Sequence, residues 1–268
     1  LAKTLVETPV EIPTKIQTIP TETKLLTKTE IINNLLEISV TIRAGQNFGS
    51  GTIYSTVDSQ GTNLNLVWGA AHVIVGARLT NEMVINKVTN TIYSFSQINV
   101  LKIIRKNQRS VGRYELTADV IKFSDQWKGH DLALLKLHND DFHKSISFWL
   151  DKSYPELGSE VYFMGSFGGA TSPNLLTRGV YSSYDRRIDG FSYDVVDALA
   201  FLGGSGGSVF DANNGFCLGM VTRVDQGLSL LGPTRRILDY CKQKNIEWAI
   251  NPKVKLGSVE DIKNLSID

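Results

Sequence analysis

From Glu37 onward the chain is a succession of short runs rich in β-branched and aromatic residues, each closed by Gly, Asn, Asp or Ser. They read "EISVTIRA", "GTIYSTV", "LNLVWGAA", "MVINKV", "TIYSFSQINVLKII", "ELTADVIKF", "LALLKL", "EVYFMGSF", "TRGVYSSY", "SYDVVDAL", "GSVFDA", "FCLGMVTRV" and "GLSLLG". Strands at this frequency, with no helical period between them, predict an all-β barrel or sandwich rather than a parallel α/β sheet. Their number suits two small barrels. Two helices are expected around them. "TEIINNLL" reads as a short capped helix before the first strand, and "TRRILDYCKQKNI", residues 234–246, follows Gly232-Pro233 with apolar residues at Ile237, Leu238 and Cys241.

Residues 1–28 differ from the rest: three of the seven prolines, many Thr and Lys, no Gly and no aromatic residue. Such a stretch has little to bury and is expected to be an extended or disordered tail. The remainder is apolar enough for a real core. With 28 basic against 27 acidic side chains, no polyanion-binding surface is indicated and nucleic acid is not the expected partner. The two cysteines, Cys217 and Cys241, are too few for a disulfide-held scaffold and are expected as buried free thiols. No run of about 20 apolar residues predicts a membrane span. The chain begins at Leu1 rather than Met, as after removal of a leader or upstream region.

The run "AFLGGSGGSVF", residues 200–210, admits four readings: a linker, a phosphate loop, a G-x-S-x-G elbow, or the nucleophile turn of another enzyme. A linker is excluded by its apolar flanks, Ala198–Leu202 and Val209-Phe210, which belong in a core. A phosphate loop would lead through Lys-Ser/Thr into a helix, whereas Ser208-Val209-Phe210 continues as strand. The elbow of α/β-hydrolases needs its acid and histidine after the serine, and His72, His130, His138 and His143 all precede Ser205. The order His, Asp, Ser remains.

Each member has a candidate. His72 ends "VWGAAH", where an apolar strand meets two small residues, placing an imidazole at a barrel rim to take a proton from serine. Asp131 opens the buried strand "DLALLKL" and would fix the histidine's tautomer and stabilise its cation. Ser205 is the candidate nucleophile, in a turn whose Gly203 and Ser205 amides would bind the substrate oxyanion. Asp119, inside "LTADVIKF", is a weaker candidate acid. His130, His138 and His143 have no metal-ligand spacing and are expected at the surface, so they call for no metal. Trp68, Trp127, Trp149 and Trp248 are expected to pack.

These residues resemble the trypsin-like, chymotrypsin-fold serine peptidases, and most the HtrA/Deg branch. The phrases that carry the resemblance are "FGSGTIYS", "AAHVI", "HDLALLKL", "LGSEVYFMGSFGG", "LLTRGVYSS", "DALAFLGGSGGSVFD" and "CLGMVTRV", in the family's order over about residues 36–245. The resemblance implies two six-stranded-type antiparallel β-barrels with a closing helix, His72 and Asp131 coming from the first barrel and Ser205 from the second. On this scheme residues 1–28 are tail and 29–246 the protease domain, with barrels at about 36–140 and 155–232 and the helix at 234–246. Residues 247–268 are a C-terminal extension. It further implies hydrolysis of peptide bonds in protein or peptide substrates through an acyl-enzyme, without metal or organic cofactor.

The 74 residues from Asp131 to Ser205 suit the branch, whereas the 59 from His72 to Asp131 are more than usual, so an insertion is expected around 76–115. Gly69 stands where Thr or Ser is common, Ser208 where Pro is common, and Gly204 where digestive enzymes carry an activation aspartate. No PDZ domain follows, so peptide capture by one is not carried over. By the same alignment Leu199 lies at the base of the primary specificity pocket with Leu230 near its wall, which predicts cleavage after small or medium apolar residues. Val221, Thr222 and Arg223 are expected as the strand edge for an extended substrate. Thr222 is expected to hydrogen-bond Asp131 from behind, and Arg223 to favour acidic residues in the substrate. A trimeric homo-oligomer and an extracytoplasmic location follow only by analogy. The alternatives are a catalytically silent binding or structural protein of the same fold, and an HtrA-like chaperone.

Overall fold

The computed structural model describes residues 26–85, 88–138, 141–151, 153–169 and 172–268. The expected tail thus lies outside the described residues except for its last three. Of these, Lys28 already opens helix α1 (Lys28–Ile38), whose cap is Thr27, two residues before the start expected from sequence. Thr27 receives the Glu30 amide on its hydroxyl and gives its own amide to the Glu30 carboxylate at 2.8 Å. Two helix-end donors are satisfied reciprocally. Ile31, Leu35 and Ile38 recur along one face of α1 and are buried.

The first half of the chain carries β1 (Ser39–Ala44), β2 (Asn47–Val57), β3 (Asn63–Gly69), the single-turn helix α2 (Ala71–Ile74), and strands β4 (Arg78–Ile85) and β5 (Val88–Phe95). They are followed by β6 (Ile98–Lys106), β7 (Arg109–Ser124) and β8 (Leu132–Leu137). Six of these close into a barrel in the order β1-β2-β3-β8-β7-β6. The second half, β9 (Glu160–Phe167), β10 (Ser172–Ile188), β11 (Phe191–Val196), β12 (Ser208–Asp211), β13 (Cys217–Asp225) and β14 (Leu228–Pro233), closes as β10-β11-β14-β13-β12-β9. All pairings within the barrels are antiparallel. Closure leaves neither sheet a full-length free edge.

The insertion expected around 76–115 is the β4–β5 hairpin, which pairs only with itself, and an outward extension of β7, exposed over its first seven residues. Strand β4 ends at Ile85 and β5 pairs back on it from Val88, so "MVINKV" is not one strand. "TIYSFSQINVLKII" is likewise two strands, broken at Ser96-Gln97.

Helix α3 (Thr234–Gln243) stops short of the expected residue 246, because Asn245 turns into the left-handed region at φ 56°. Beyond it the chain returns to the first barrel. Trp248, Ile250, Leu256 and Ile262 are buried in the same cluster as Trp68 and Leu135. The Trp68 indole donates to the Ala249 carbonyl at 2.8 Å, and the Phe123 amide to that of Ile267 at 2.7 Å.

The barrels meet across a seam of buried hydroxyls. Thr41 bonds Ser166 at 2.5 Å, Thr52 bonds Ser208 at 2.8 Å, and the Ser50 hydroxyl donates to the Gly203 carbonyl at 2.8 Å while accepting the Ser166 amide at 2.7 Å. Ser208, unusual at its position, thus has a partner in the opposite barrel. Cys217 and Cys241 are buried free thiols, and burial pushes the Cys217 thiol up to about 12. Trp68 and Trp248 pack in the core as expected, but Trp127, 71% exposed on the turn before β8, does not. No helix among the described residues is long and apolar enough to cross a membrane.

Candidate active site

β3 ends at Gly69 and the chain turns through Ala70 into α2, so His72 stands on a helical turn just past the strand instead of at its tip. Asp131 immediately precedes β8, where its backbone takes φ 55°. Both of its carboxylate oxygens are engaged by one residue: Oδ1 accepts the His72 amide at 2.9 Å and Oδ2 meets His72 Nδ1 at 2.8 Å. The two-point contact fixes the ring's orientation. It also places the ring proton on Nδ1 beside the carboxylate, leaving Nε2 as the basic nitrogen. The side chain of Asp131 is 5% exposed and that of His72 27% exposed, so the acid is sheltered while the base is reachable.

Ser205 lies in a turn held from both barrels. Its carbonyl accepts the Ser50 amide at 2.7 Å, and the neighbouring Gly206 amide donates to the Val221 carbonyl at 2.7 Å. Gly206 sits at φ 83°, and a Cβ there would stand 2.3 Å from the Ser50 carbonyl oxygen and 2.6 Å from the Ala70 amide nitrogen. Only glycine lets the turn come this close to the segment that carries His72. Gly203 also has positive φ, 92°. Its carbonyl is tied to Ser50, whereas the Gly203 and Ser205 amides donate no hydrogen bond among the described residues. No hydrogen bond joins the Ser205 hydroxyl to His72 among the described residues.

Residues 49–220, almost two-thirds of the chain, match the trypsin-like peptidase domain. The chain belongs to the trypsin-like peptidase family. Among solved structures its fold is similar to the serine endoprotease from Yersinia pestis, with TM-score 0.58 and 18% identity over 82% of this chain and 67% of that one. It is likewise similar to the HtrA-type protease AlgW with tripeptide, with TM-score 0.60 and 18% identity over 83% of this chain and 64% of that one. No curated protein matches the sequence.

In this trypsin-like peptidase several expected contacts are absent. Thr222 Oγ1 is buried and makes no hydrogen bond among the described residues, so it does not reach Asp131. A bulge between Val221 and Arg223 displaces it from the regular ladder. Val221 has both backbone groups committed, its amide to the Gly207 carbonyl at 2.9 Å and its carbonyl to Gly206. Past Met220 no strand pairs with the β12 side of β13 among the described residues. The Arg223 guanidinium is already neutralised, bonded to Asp189 Oδ2 at 2.7 Å and lying 5.5 Å from the Tyr193 ring centre. Its pull on acidic substrates is correspondingly reduced. Leu199 is 41% exposed on an open apolar loop with Phe201 and Leu202, while Leu230 is buried against Tyr193 and Val195. Leu230 thus packs in a core cluster instead of standing free at a pocket wall.

The remaining titratable candidates divide. Asp119 and His138 pair with each other at 2.7 Å at the surface, so Asp119 takes no part near His72. His143 is exposed. His130 is not a surface residue: its ring is wedged between Phe191 and Tyr240, at centroid distances of 5.4 and 5.2 Å. Burial, reinforced by the Arg236 cation, holds it below the ordinary imidazole value. Among the described residues no cluster of three His, Cys, Asp or Glu could hold a metal. Two supports escaped the sequence reading. Ser50 and Arg236 lay within quoted stretches but had no assigned contact.

Proposed function

We propose that this peptidase is a serine endopeptidase working through an acyl-enzyme, with Ser205 as nucleophile, His72 as general base and acid, and Asp131 as the group that orients and stabilises His72. The observation that carries the reading is the double contact of the Asp131 carboxylate with His72, which leaves Nε2 free to take a proton. In the first half-reaction Ser205 Oγ attacks the substrate carbonyl and its proton passes to His72 Nε2. The imidazolium then protonates the leaving amine, and the acyl group remains on Ser205. Water, deprotonated by the same nitrogen, releases the acid and restores the serine. The unpaired Gly203 and Ser205 amides are the proposed donors to the oxyanion, and loss of one such donor typically costs about 10² to 10³ in rate.

Substrates are proposed to be proteins or peptides extended along the open edge at Arg223, with a small or medium apolar residue before the scissile bond. The exposed apolar side chains of Leu199, Phe201 and Leu202 support the preference, and the loop's one carboxylate, Asp197, is engaged by the Val180 amide. The test is labelling of the folded protein with a fluorophosphonate beside a Ser205→Ala control, followed by cleavage of a peptide panel. Label that depends on Ser205 and turnover favouring Val, Ala or Leu over Arg are expected. A folded protein without Ser205-dependent label overturns the catalytic reading, and preferred cleavage after Arg overturns the specificity.

A further inference from the structure

Two adjacent arginines on α3 are spent in opposite directions. Arg235 binds the fully buried Asp194 through two bonds of 2.5 and 2.6 Å and reaches Asp185 at 2.8 Å. Arg236 has no carboxylate within ion-pair distance among the described residues, although it is only 8% exposed. Its Nη1 donates to the Ser192 carbonyl at 3.0 Å and its Nη2 to the His130 carbonyl at 2.5 Å. The guanidinium lies 4.6 Å from the Tyr193 ring centre and 5.2 Å from that of Phe191. A buried cation held by carbonyls and ring faces, with no carboxylate bonded to it, is costly to desolvate, and burial draws it below the ordinary arginine value although Tyr193 and the charge of Asp131 act the other way.

The carbonyl that Arg236 grips belongs to the peptide bond that supplies the nitrogen of Asp131. Asp131 is in the left-handed region at φ 55°, which aspartate enters more readily than most residues yet which persists only where the surroundings hold it. Rotation of that peptide plane is the movement by which the backbone would relax, and it would swing the carboxylate off the His72 amide and ring. The His130 side chain, packed between Phe191 of β11 and Tyr240 of α3, holds the same point from the side.

We propose that Arg236 is a positioning residue for Asp131: by gripping the His130–Asp131 peptide it holds the carboxylate in register with His72, so that seating of α3 conditions the competence of the site. This inference rests on the reading of Asp131 as the partner of the catalytic base. The variants are Arg236→Met and Arg236→Lys. The readouts are thermal unfolding, the rate of fluorophosphonate labelling at Ser205, kcat and KM on a cleaved peptide, and the far-downfield proton resonance of a His72 Nδ1–H held by a carboxylate.

A folded Arg236→Met protein is expected to lose kcat and labelling rate by roughly 10- to 100-fold, as for a displaced catalytic group. KM should stay within about twofold, and the downfield resonance should disappear. Unchanged rates with the resonance in place overturn the proposal, as does a loss confined to KM. Where Arg236→Met does not fold, Arg236→Lys decides, since it keeps the charge but not the two-pronged grip. A kcat reduced roughly 3- to 10-fold at constant KM supports the proposal, and wild-type turnover overturns it. Failure of the wild-type protein to label at Ser205 would instead overturn the catalytic reading. The resonance would still report on the contact between Asp131 and His72.

Discussion

Asp131 engages His72 twice with one carboxylate, and the two bonds ask different things of the side chain. The bond to the backbone amide needs only an acceptor, while the bond to Nδ1 needs an acceptor that also tolerates a full positive charge on the ring. Asparagine keeps the shape but can turn its NH₂ toward Nδ1 and select the wrong tautomer. Asp131→Asn is therefore expected to lower kcat at neutral pH by about 10⁴ with little change in KM, measured on a single cleaved peptide. At this scale the sequence was legible where order and residue type sufficed. Four histidines upstream of Ser205 excluded the elbow, and an acid heading "LALLKL" lay beside His72 as expected. Thr222 and Arg223 were not legible, because a bulge and a partner at Asp189 depend on local backbone geometry that residue type does not encode.

Helix α3 ties the second barrel together from one end. Asp194, fully buried, accepts both arms of Arg235, the Tyr181 hydroxyl and the Asp185 amide. The Arg235 guanidinium also lies 4.5 Å from the Tyr154 ring centre. Removing the cation would leave a buried carboxylate short of donors. Because about a third of the Arg235 side chain faces water, the lower end of the usual range applies, and Arg235→Met is expected to destabilise the fold by about 3 kcal/mol. Chemical denaturation with unchanged slope would register it. The amphipathic period of "TRRILDY" foretold the helix, with Ile237 and Cys241 inward. It could not foretell that two consecutive arginines would both be drawn under the surface, since either sits at a position where a solvated charge is ordinary.

At the scale of the whole molecule, the two-barrel plan was readable because strand patterning and turn residues are local signals. The path of residues 247–268 was not, since its contacts are to residues 144 to 201 positions away. Asp58, on the turn after β2, accepts the Gln60 and Thr62 amides at 2.8 Å each and that of Val259 at 3.2 Å. The Thr62 amide above all, and then those of Val259 and Gln60, hold its carboxyl below the ordinary value. A folded-state value so lowered means that the unfolded chain binds the proton more readily. The stabilisation is therefore complete above about pH 4, the unfolded value, and is lost as pH falls through the folded value. Hydrogen exchange is expected to show residues 256–262 opening more readily as pH falls below about 4 than at pH 7, and Asp58→Asn should remove most of that dependence.

The return of the chain after α3 bears on how the molecule tolerates a break in its backbone. The polypeptide passes from the first barrel to the second after β8 and comes back through the segment containing Trp248 and Leu256. A nick in the outward connection, at residues 141–151, leaves both pieces bound. The fragment that carries Ser205 also carries Ile250, Leu256 and Ile262, buried in the core that surrounds Trp68. The hydroxyls of Thr41, Ser50 and Thr52 keep the seam in register. A molecule cut there is expected to remain one particle, held by that core and that seam.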